Sequence, residues 1–418
     1  MKLRNFMYAT MIACAFASCS NDDVPTPDQG DPSAEGTTLA VKYDASSLTK
    51  ATTDATISSL QLLVFNADGN LEAKGLLKNG TTDVAEATGL TAGRKDVIVF
   101  ANVTLPEAVV VGASKSTVFG VLEKDFDNAL EADGALTMNS KMYEDIEIAL
   151  NTVNLLGYAT ETGGKWVGNV DEDIVKIPVK LYRNVAKIRL ASISTKMKDE
   201  VGKKYSNPTL KVKEIFILQG HKATKLFGTN QSEYGATEVN GSYYSAYEHT
   251  SDWTSKDDIY TLAESGVTVK AGDWIKKSIS EVTVTTTAKY ETVNDFYVYE
   301  NTSDTYKTLL VVKGDFIYNT TETETETLED RFYTAEIGKD VTLPAGSSTL
   351  TLLALRNVNP VADNGKYTIG VYRNLQYNID LTVTGPGYQT PGGGGDPTVL
   401  DVKCEVVDFG QVDQDVEI

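Results

Sequence analysis

Apolar and polar residues alternate most cleanly near the two ends of the chain. Leu400, Val402, Cys404 and Val406 share one parity, and Asp401, Lys403 and Glu405 take the other. That alternation predicts a β-strand with one dry face and one wet face. The strand follows Gly392-Gly393-Gly394-Gly395, a composition that makes flexible linkers. A good strand on a loose tether can pair with its own sheet or reach a sheet in another molecule. Near the other end, residues 38–43 predict a short strand with Leu39, Val41 and Tyr43 on one face.

Between these ends the pattern is mostly of period two. Residues 57–65 read as a buried strand that turns at Asn66-Ala67-Asp68-Gly69-Asn70, and Asp-Gly is a strong hairpin signal. Residues 96–103, 136–140 and 153–158 predict further strands. Val118, Leu122 and Phe126 stand four apart, which predicts one amphipathic helix over 116–129. Residues 174–193 alternate around Arg183 and read as the last strand of one domain running into the first of the next. Residues 210–219, 295–300, 308–312, 350–355 and 377–383 continue as strands. Short strands with turn signals at close intervals predict β-sandwiches. The threonine–acid run 320–330 reads as a solvated loop or the wet face of an edge strand, and residues 228–275 as a polar, tyrosine-rich surface insertion.

The first residues are a targeting segment. Lys2 and Arg4 give a positive start, and the apolar run 6–16 is short for a membrane span. Ala17-Ser18-Cys19 resembles the bacterial lipoprotein cleavage site, where the cysteine is lipidated and becomes the first residue. Phe16 departs from that pattern, where an aliphatic residue is usual, and Cys14 is the weaker candidate because it leaves too short an apolar core. Ser20-Asn21-Asp22-Asp23 resembles the acidic tag that sends Bacteroidales lipoproteins to the cell surface. Residues 24–36, rich in proline, glycine and acid, read as a tether.

Composition narrows the function. A length of 418 residues allows two or three domains with full cores. The net charge of -20, from 58 acidic against 38 basic residues, disfavours nucleic acid as a partner. Beyond Cys14 and Cys19 only Cys404 remains, so no disulfide framework or multi-cysteine zinc site can be built in a mature chain. Cys404 has apolar neighbours on its strand face and reads as a small hydrophobe. No nucleophile elbow, zinc-protease helix or phosphate-binding glycine loop occurs. His221 and His249 have no triad pattern around them and read as surface residues. Asp171-Glu172-Asp173 and Asp413-Gln414-Asp415 lack the spacing of a calcium loop. The expectation is therefore no catalytic residue, no metal and no cofactor.

Residues 181–188 (LYRNVAKI), 296–301 (FYVYEN) and 372–387 (YRNLQYNIDLTVTGPG) are similar to segments of the type V pilins of Bacteroidales, the FimA-like major fimbrial subunits. The lipoprotein-like start, the short first strand, a basic residue before a second strand, and the alternating last strand fit the same family in order. The resemblance implies an all-β, mainly antiparallel fold with two tandem transthyretin-like β-sandwich domains, a short helix and a C-terminal donor strand. Residues 1–18 would then be the signal, 19–36 the tether, 37–182 the first sandwich and 183–391 the second, with the hinge and donor strand at 392–418. It also implies a mechanism. The first strand, residues 37–50, plugs a groove in its own sheet, with Leu39, Val41 and Tyr43 as its dry face. A trypsin-like protease removes it together with the lipid on Cys19. The open groove then takes the donor strand of another copy or of a related subunit, with Leu400, Val402, Cys404 and Val406 inward. Family processing is commonly at arginine, yet none lies between Arg4 and Arg94, so Lys50 becomes the expected cut site. Such a chain would be an outer-membrane lipoprotein precursor and then the shaft of an extracellular fimbria serving adhesion. Two other classes compete: a monomeric surface lipoprotein binding glycans through Trp253, Trp274 and nearby tyrosines, and a hydrolase with paired carboxylates.

Overall fold

The long apolar run near residue 60 becomes a strand buried on both faces, and the first half of the fold is laid around it. The computed structural model describes residues 36–43, 57–81, 83–125, 136–197, 204–221, 223–226, 243–244, 275–302, 307–343, 362–389 and 400–408. All fall within one compact unit, Ala34–Ile418.

The first eleven strands, in chain order, are Thr38–Lys42 (β1), Leu60–Asn66 (β2), Leu71–Leu77 (β3), Val84–Thr88 (β4), Gly93–Ala101 (β5), Glu123–Asp125 (β6), Met138–Asn139 (β7), Tyr143–Ile148 (β8), Val153–Leu156 (β9), Lys165–Trp166 (β10) and Tyr182–Arg183 (β11). All but β6 join one ten-stranded sheet in the order β10-β9-β1-β4-β3-β2-β5-β7-β11, with β8 also on β5. The first region is thus one continuous sheet rather than two separate ones. Alternate residues of β2 serve two cores. Leu62 and Val64 face the inner core, while Leu63 and Phe65 face an outer cluster with Val118 and Phe119.

Those last two residues lie on helix α1, Lys115–Val121, whose N-cap Ser114 accepts a bond from the Thr117 amide. The sequence predicts this helix over 116–129, and the structure shortens it. Leu122 sinks fully into the outer cluster at the C-cap. The chain then leaves as β6, whose bonds are taken up by Ala223–Lys225 (β15) in the other half of the molecule. Residues 126–129 lie outside the described residues. Residues 174–193 are a second correction, because they do not begin as a strand. Helix α2, Glu172–Lys176, is capped by Asp171, with Glu172 and Asp173 in its first turn and Lys176 in its last. Acids at the start and a base at the end suit the helix dipole, and Pro178 ends the helical run.

The second half uses Ala186–Thr195 (β12), Ser206–Leu218 (β13), Gly220–His221 (β14), β15, Tyr243–Tyr244 (β16), Ile275–Val284 (β17), Asn294–Val298 (β18), Leu309–Asn319 (β19), Thr325–Glu336 (β20), Ala362–Asp363 (β21), Lys366–Tyr367 (β22), Leu375–Val383 (β23) and Leu400–Asp408 (β24). It forms two four-stranded sheets, β18-β12-β23-β24 and β17-β13-β19-β20. Ile188, Leu190, Tyr377 and Ile379 from the first sheet share a core with Leu210, Ile215, Val312 and Phe316 from the second. Residues 325–330 of the threonine–acid run form the largely exposed first half of β20, at a sheet edge. Most of the predicted insertion, and the predicted strand 350–355, lie outside the described residues.

Candidate functional site

The first predicted site strand sits deep inside the first sheet. β1 pairs antiparallel with β4, from Thr38↔Thr88 to Lys42↔Val84, and parallel with β9, from Thr38↔Val153 to Val41↔Leu156. Tyr43 continues the strand as a bridge to Val179. Leu39, Val41 and Tyr43 are at most 2% exposed and face the main core. The opposite face is covered as well: Ala40 packs with Val84 and Leu155, and Trp166 and Tyr158 lie against that group. β1 therefore fills a slot that is dry on both faces, although its sequence alternates toward a polar Lys42. Lys42 reaches the rim, with Nζ 3.5 Å from an Asp83 carboxylate oxygen and 6.0 Å from the centre of the Tyr158 ring. The backbone holds this end closely. The Val179 amide donates to the Lys42 carbonyl at 2.8 Å, and the Tyr43 amide donates to the Asp83 carbonyl at 3.0 Å. Gly157 permits that approach, since its φ is +84° and a Cβ there would stand 2.3 Å from the Lys42 carbonyl oxygen. Burial, with Asp83 adding to it, pushes the Tyr43 phenol up to about 12.

The second site strand is placed quite differently. β24 pairs antiparallel with β23 of its own chain, from Leu375↔Asp408 to Val383↔Leu400. Among the described residues it lies at the end of that sheet. Its other side carries one bridge, Glu405 with Thr342, whose amide donates to the Cys404 carbonyl at 2.8 Å. Leu400 and Cys404 are buried, Val402 packs partly against the core, and Val406 stands opposite Tyr377 in the ladder. Burial pushes the Cys404 thiol up to about 12, which leaves it a packing group rather than a nucleophile. Asp401 and Lys403 face solvent. Cys19, Lys50, His249, Trp253, Trp274, Asp413 and Asp415 lie outside the described residues.

His221 is not on the surface, as its sequence context implied, but 1% exposed. β14, which carries it, pairs with β16 from the polar insertion. Burial lowers its pKa to about 4, so the ring is neutral at physiological pH. Asp171 serves as the cap of α2. Among the described residues no group of three or more histidine, cysteine or acidic side chains could hold a metal.

Sequence reasoning missed a buried polar cluster between the two halves of the molecule. Arg373 and Glu300 are each 1% exposed, and Nε donates to Glu300 Oε2 at 3.1 Å. Arg373 Nη1 donates to Asn184 Oδ1 and Nη2 to Thr224 Oγ1, both at 2.9 Å. The next residue continues the join: the Asn374 amide donates to the Val185 carbonyl at 2.8 Å, and Asn374 Oδ1 accepts from the Arg183 amide at 3.0 Å. Close by, β6 pairs with β15, and Leu226 enters the outer cluster of the first half. The signal was present in the three family-like segments, each of which supplies a member: Asn184, Glu300 and Arg373.

The fold is that of a β-structural protein in which, among the described residues, one predicted pairing strand lies inside a sheet and the other at an edge. Residues 37–183 match the model of the major fimbrial subunit protein (FimA), and residues 185–409 match that of the FimA4 pilin C-terminal domain. The chain belongs to the FimA family of fimbrial structural subunits. Over 431 residues it is 25% identical to the major fimbrium subunit FimA type-2 of Porphyromonas gingivalis, covering 99% of both chains. The type-3 subunit of that organism is 23% identical over 427 residues, covering 100% of each. A fimbrilin structure from Porphyromonas gingivalis W83 is similar with a TM-score of 0.61 and 18% identity, over 91% of this chain and 100% of that one. A structure from Parabacteroides distasonis, named for cell adhesion, gives a TM-score of 0.64 and 24% identity over 89% and 98%.

Proposed function

We propose that this protein is the shaft subunit of a surface fimbria serving adhesion, made as a lipid-anchored precursor and polymerised by strand exchange. The observation that carries this reading is the contrast between β1 and β24. β1 is buried on both faces and hydrogen-bonded on both sides, close to one end of the chain. β24 is amphipathic and, among the described residues, stands at a sheet edge close to the other. Removing β1 would leave unpaired backbone on β4 and β9 and empty places in the core, a strong template for a new strand. A shaft subunit needs both a removable plug and a donor, and this chain has a candidate for each. The partners are other copies and related fimbrial subunits, together with a trypsin-like protease and, for the precursor, the outer membrane.

Lys50 is the expected cut site. Lys42 precedes it but is held in β1 by its pairing with Val84 on one side and by the bond from the Val179 amide on the other. Mild trypsin treatment of the purified protein, followed by electron microscopy, tests the reading directly. Filaments are the expected result, and an unchanged monomer after cleavage would overturn it. Lys50→Gln should leave the precursor intact under the same treatment and abolish filaments; cleavage elsewhere with normal filaments would remove Lys50 from the mechanism.

Lipidation is tested separately. Cys19→Ala should abolish incorporation of labelled palmitate and display on the cell surface. Label that persists in this variant would assign the lipid to another residue.

A further inference from the structure

The slot strand and the terminal strand resemble each other step by step. One reads Leu39-Ala40-Val41-Lys42-Tyr43 and the other Leu400-Asp401-Val402-Lys403-Cys404. Leucine, valine and lysine recur at the same positions in the same direction. In β1 these residues have separate surroundings: Leu39 and Val41 enter the core, and Lys42 turns to the rim at Asp83. Taking strand exchange as proposed above, we infer that the donor strand of one copy enters the slot of the next in the direction and register of β1. Leu400 takes the place of Leu39, Val402 that of Val41, and Lys403 that of Lys42 beside Asp83. The strand then runs antiparallel to β4 and parallel to β9.

Other registers fit less well. A slip of one residue turns the charged face of the donor into the core. A slip of two in either direction brings Asp401 or Glu405, in place of a lysine, to Asp83. The inferred register has two poorer matches of its own. Asp401 comes to the dry place of Ala40, across from Glu86, whose carboxylate is held by Lys78 at 3.0 Å. Cys404 comes to the place of Tyr43, a far larger buried side chain. Both mismatches have a consequence. A plug that fits better and is tethered in the same chain outcompetes the donor, so exchange waits for the plug to be cut and lost.

Cysteine cross-linking reads the register. Every protein carries Cys404→Ser, and Glu86→Cys is combined with Asp401→Cys, Lys403→Cys or Glu405→Cys. Residues directly opposite in an antiparallel pair stand about 4.5–5.5 Å apart at Cα, within disulfide reach, whereas diagonal neighbours are about 7–8 Å apart. After trypsin and mild oxidation, the pair 86/401 should give a covalent ladder on a non-reducing gel, and the other two should give little. A ladder strongest at 403 or at 405 would mean a slipped register or a reversed strand. Either result, or filaments with no ladder from any pair, overturns the inference and leaves strand exchange standing. Absence of filaments from the chain without added cysteines would instead defeat strand exchange itself, and the register with it.

A charge swap gives a second reading without cysteines. A receiving subunit carrying Lys42→Glu and Asp83→Lys keeps its plug paired with reversed charges. Once cut, it should take a donor bearing Lys403→Glu at least about fivefold faster than the native donor, the scale of reversing one half-exposed pair. Equal rates would place Lys403 away from Asp83.

Discussion

Deleting residues 400–418 should abolish filaments and leave a folded monomeric precursor. Among the described residues β24 is held by β23 and by the bridge of Glu405 with Thr342, and it gives the core Leu400 and Cys404, with Val402 packed partly against it. Losing that burial costs about 3–6 kcal/mol at about 1.5–3 kcal/mol per side chain, against a total stability of about 5–15 kcal/mol for a domain. β1 still fills the slot in the first sheet, so that half is untouched. Size-exclusion chromatography and circular dichroism should therefore report a folded monomer, and electron microscopy after trypsin should show no polymer. Filaments of normal length from the truncated chain would defeat the donor assignment, and so would an unfolded monomer. In the second case the strand would be an indispensable part of its own domain. Val402→Asp combined with Val406→Asp should also block polymer, since a carboxylate placed in an apolar slot costs several kcal/mol.

The edge position of β24 changes the energetics of exchange. From sequence alone the terminal strand can pair with its own sheet or another, and for an unpaired donor burying four apolar residues promises about 6–12 kcal/mol. In the structure Leu400 and Cys404 are already buried against β23, so much of that term is present before exchange. The gain must come from other differences. Among the described residues β24 pairs with one strand in its own sheet, whereas the slot between β4 and β9 offers two. Each added backbone bond contributes about 0.5–1.5 kcal/mol. Closing the empty slot also restores the core that loss of Leu39, Val41 and Tyr43 opens. On the proposed mechanism, proteolysis would create the high-energy state that exchange relieves.

Period-two patterning made most strands legible, because one-sided burial leaves its mark on alternate residues. β23 and β24 are examples, and so is the hairpin between β2 and β3. The dry outer face of β1 was not legible. Its cover comes from Trp166 and Tyr158, more than a hundred residues away in sequence, and Ala40 alone is a weak apolar signal. The helix was over-read for a related reason. Leu122 fits a helical period, yet tertiary burial draws it into the cap and redirects the chain into β6. His221 was misjudged because it stands just before the polar stretch, while its strand pairs with Tyr243–Tyr244 from within that stretch and the residue is buried. The charged members of the polar cluster stood in plain view as Glu300 and Arg373. Their pairing spans 73 residues, a separation that no local pattern encodes.

Arg373→Ala should be the most destabilising single substitution in the second half of the chain. Its guanidinium is buried, meets Glu300 at 3.1 Å, and spreads its remaining nitrogens over Asn184 and Thr224. Breaking a buried ion pair by removing one partner costs about 3–5 kcal/mol, because the other charge stays in a dry site. For a domain of this size that corresponds to a fall in unfolding temperature of roughly 6–20 °C. Arg373→Lys should recover little, since an ammonium cannot present three donors in a planar fork to three separate acceptors. The double variant Arg373→Met with Glu300→Leu should recover more than either single change, because no charge is then left unmatched. Differential scanning calorimetry on the whole chain measures all three. A shift below about 2 °C for Arg373→Ala would show that the cluster contributes little, as exposed ion pairs do. The expected large shift should fall on both halves together: Asn374 binds the backbone at Arg183 and Val185, where the first sheet passes into the second, so loosening Arg373 loosens the join as well as the core.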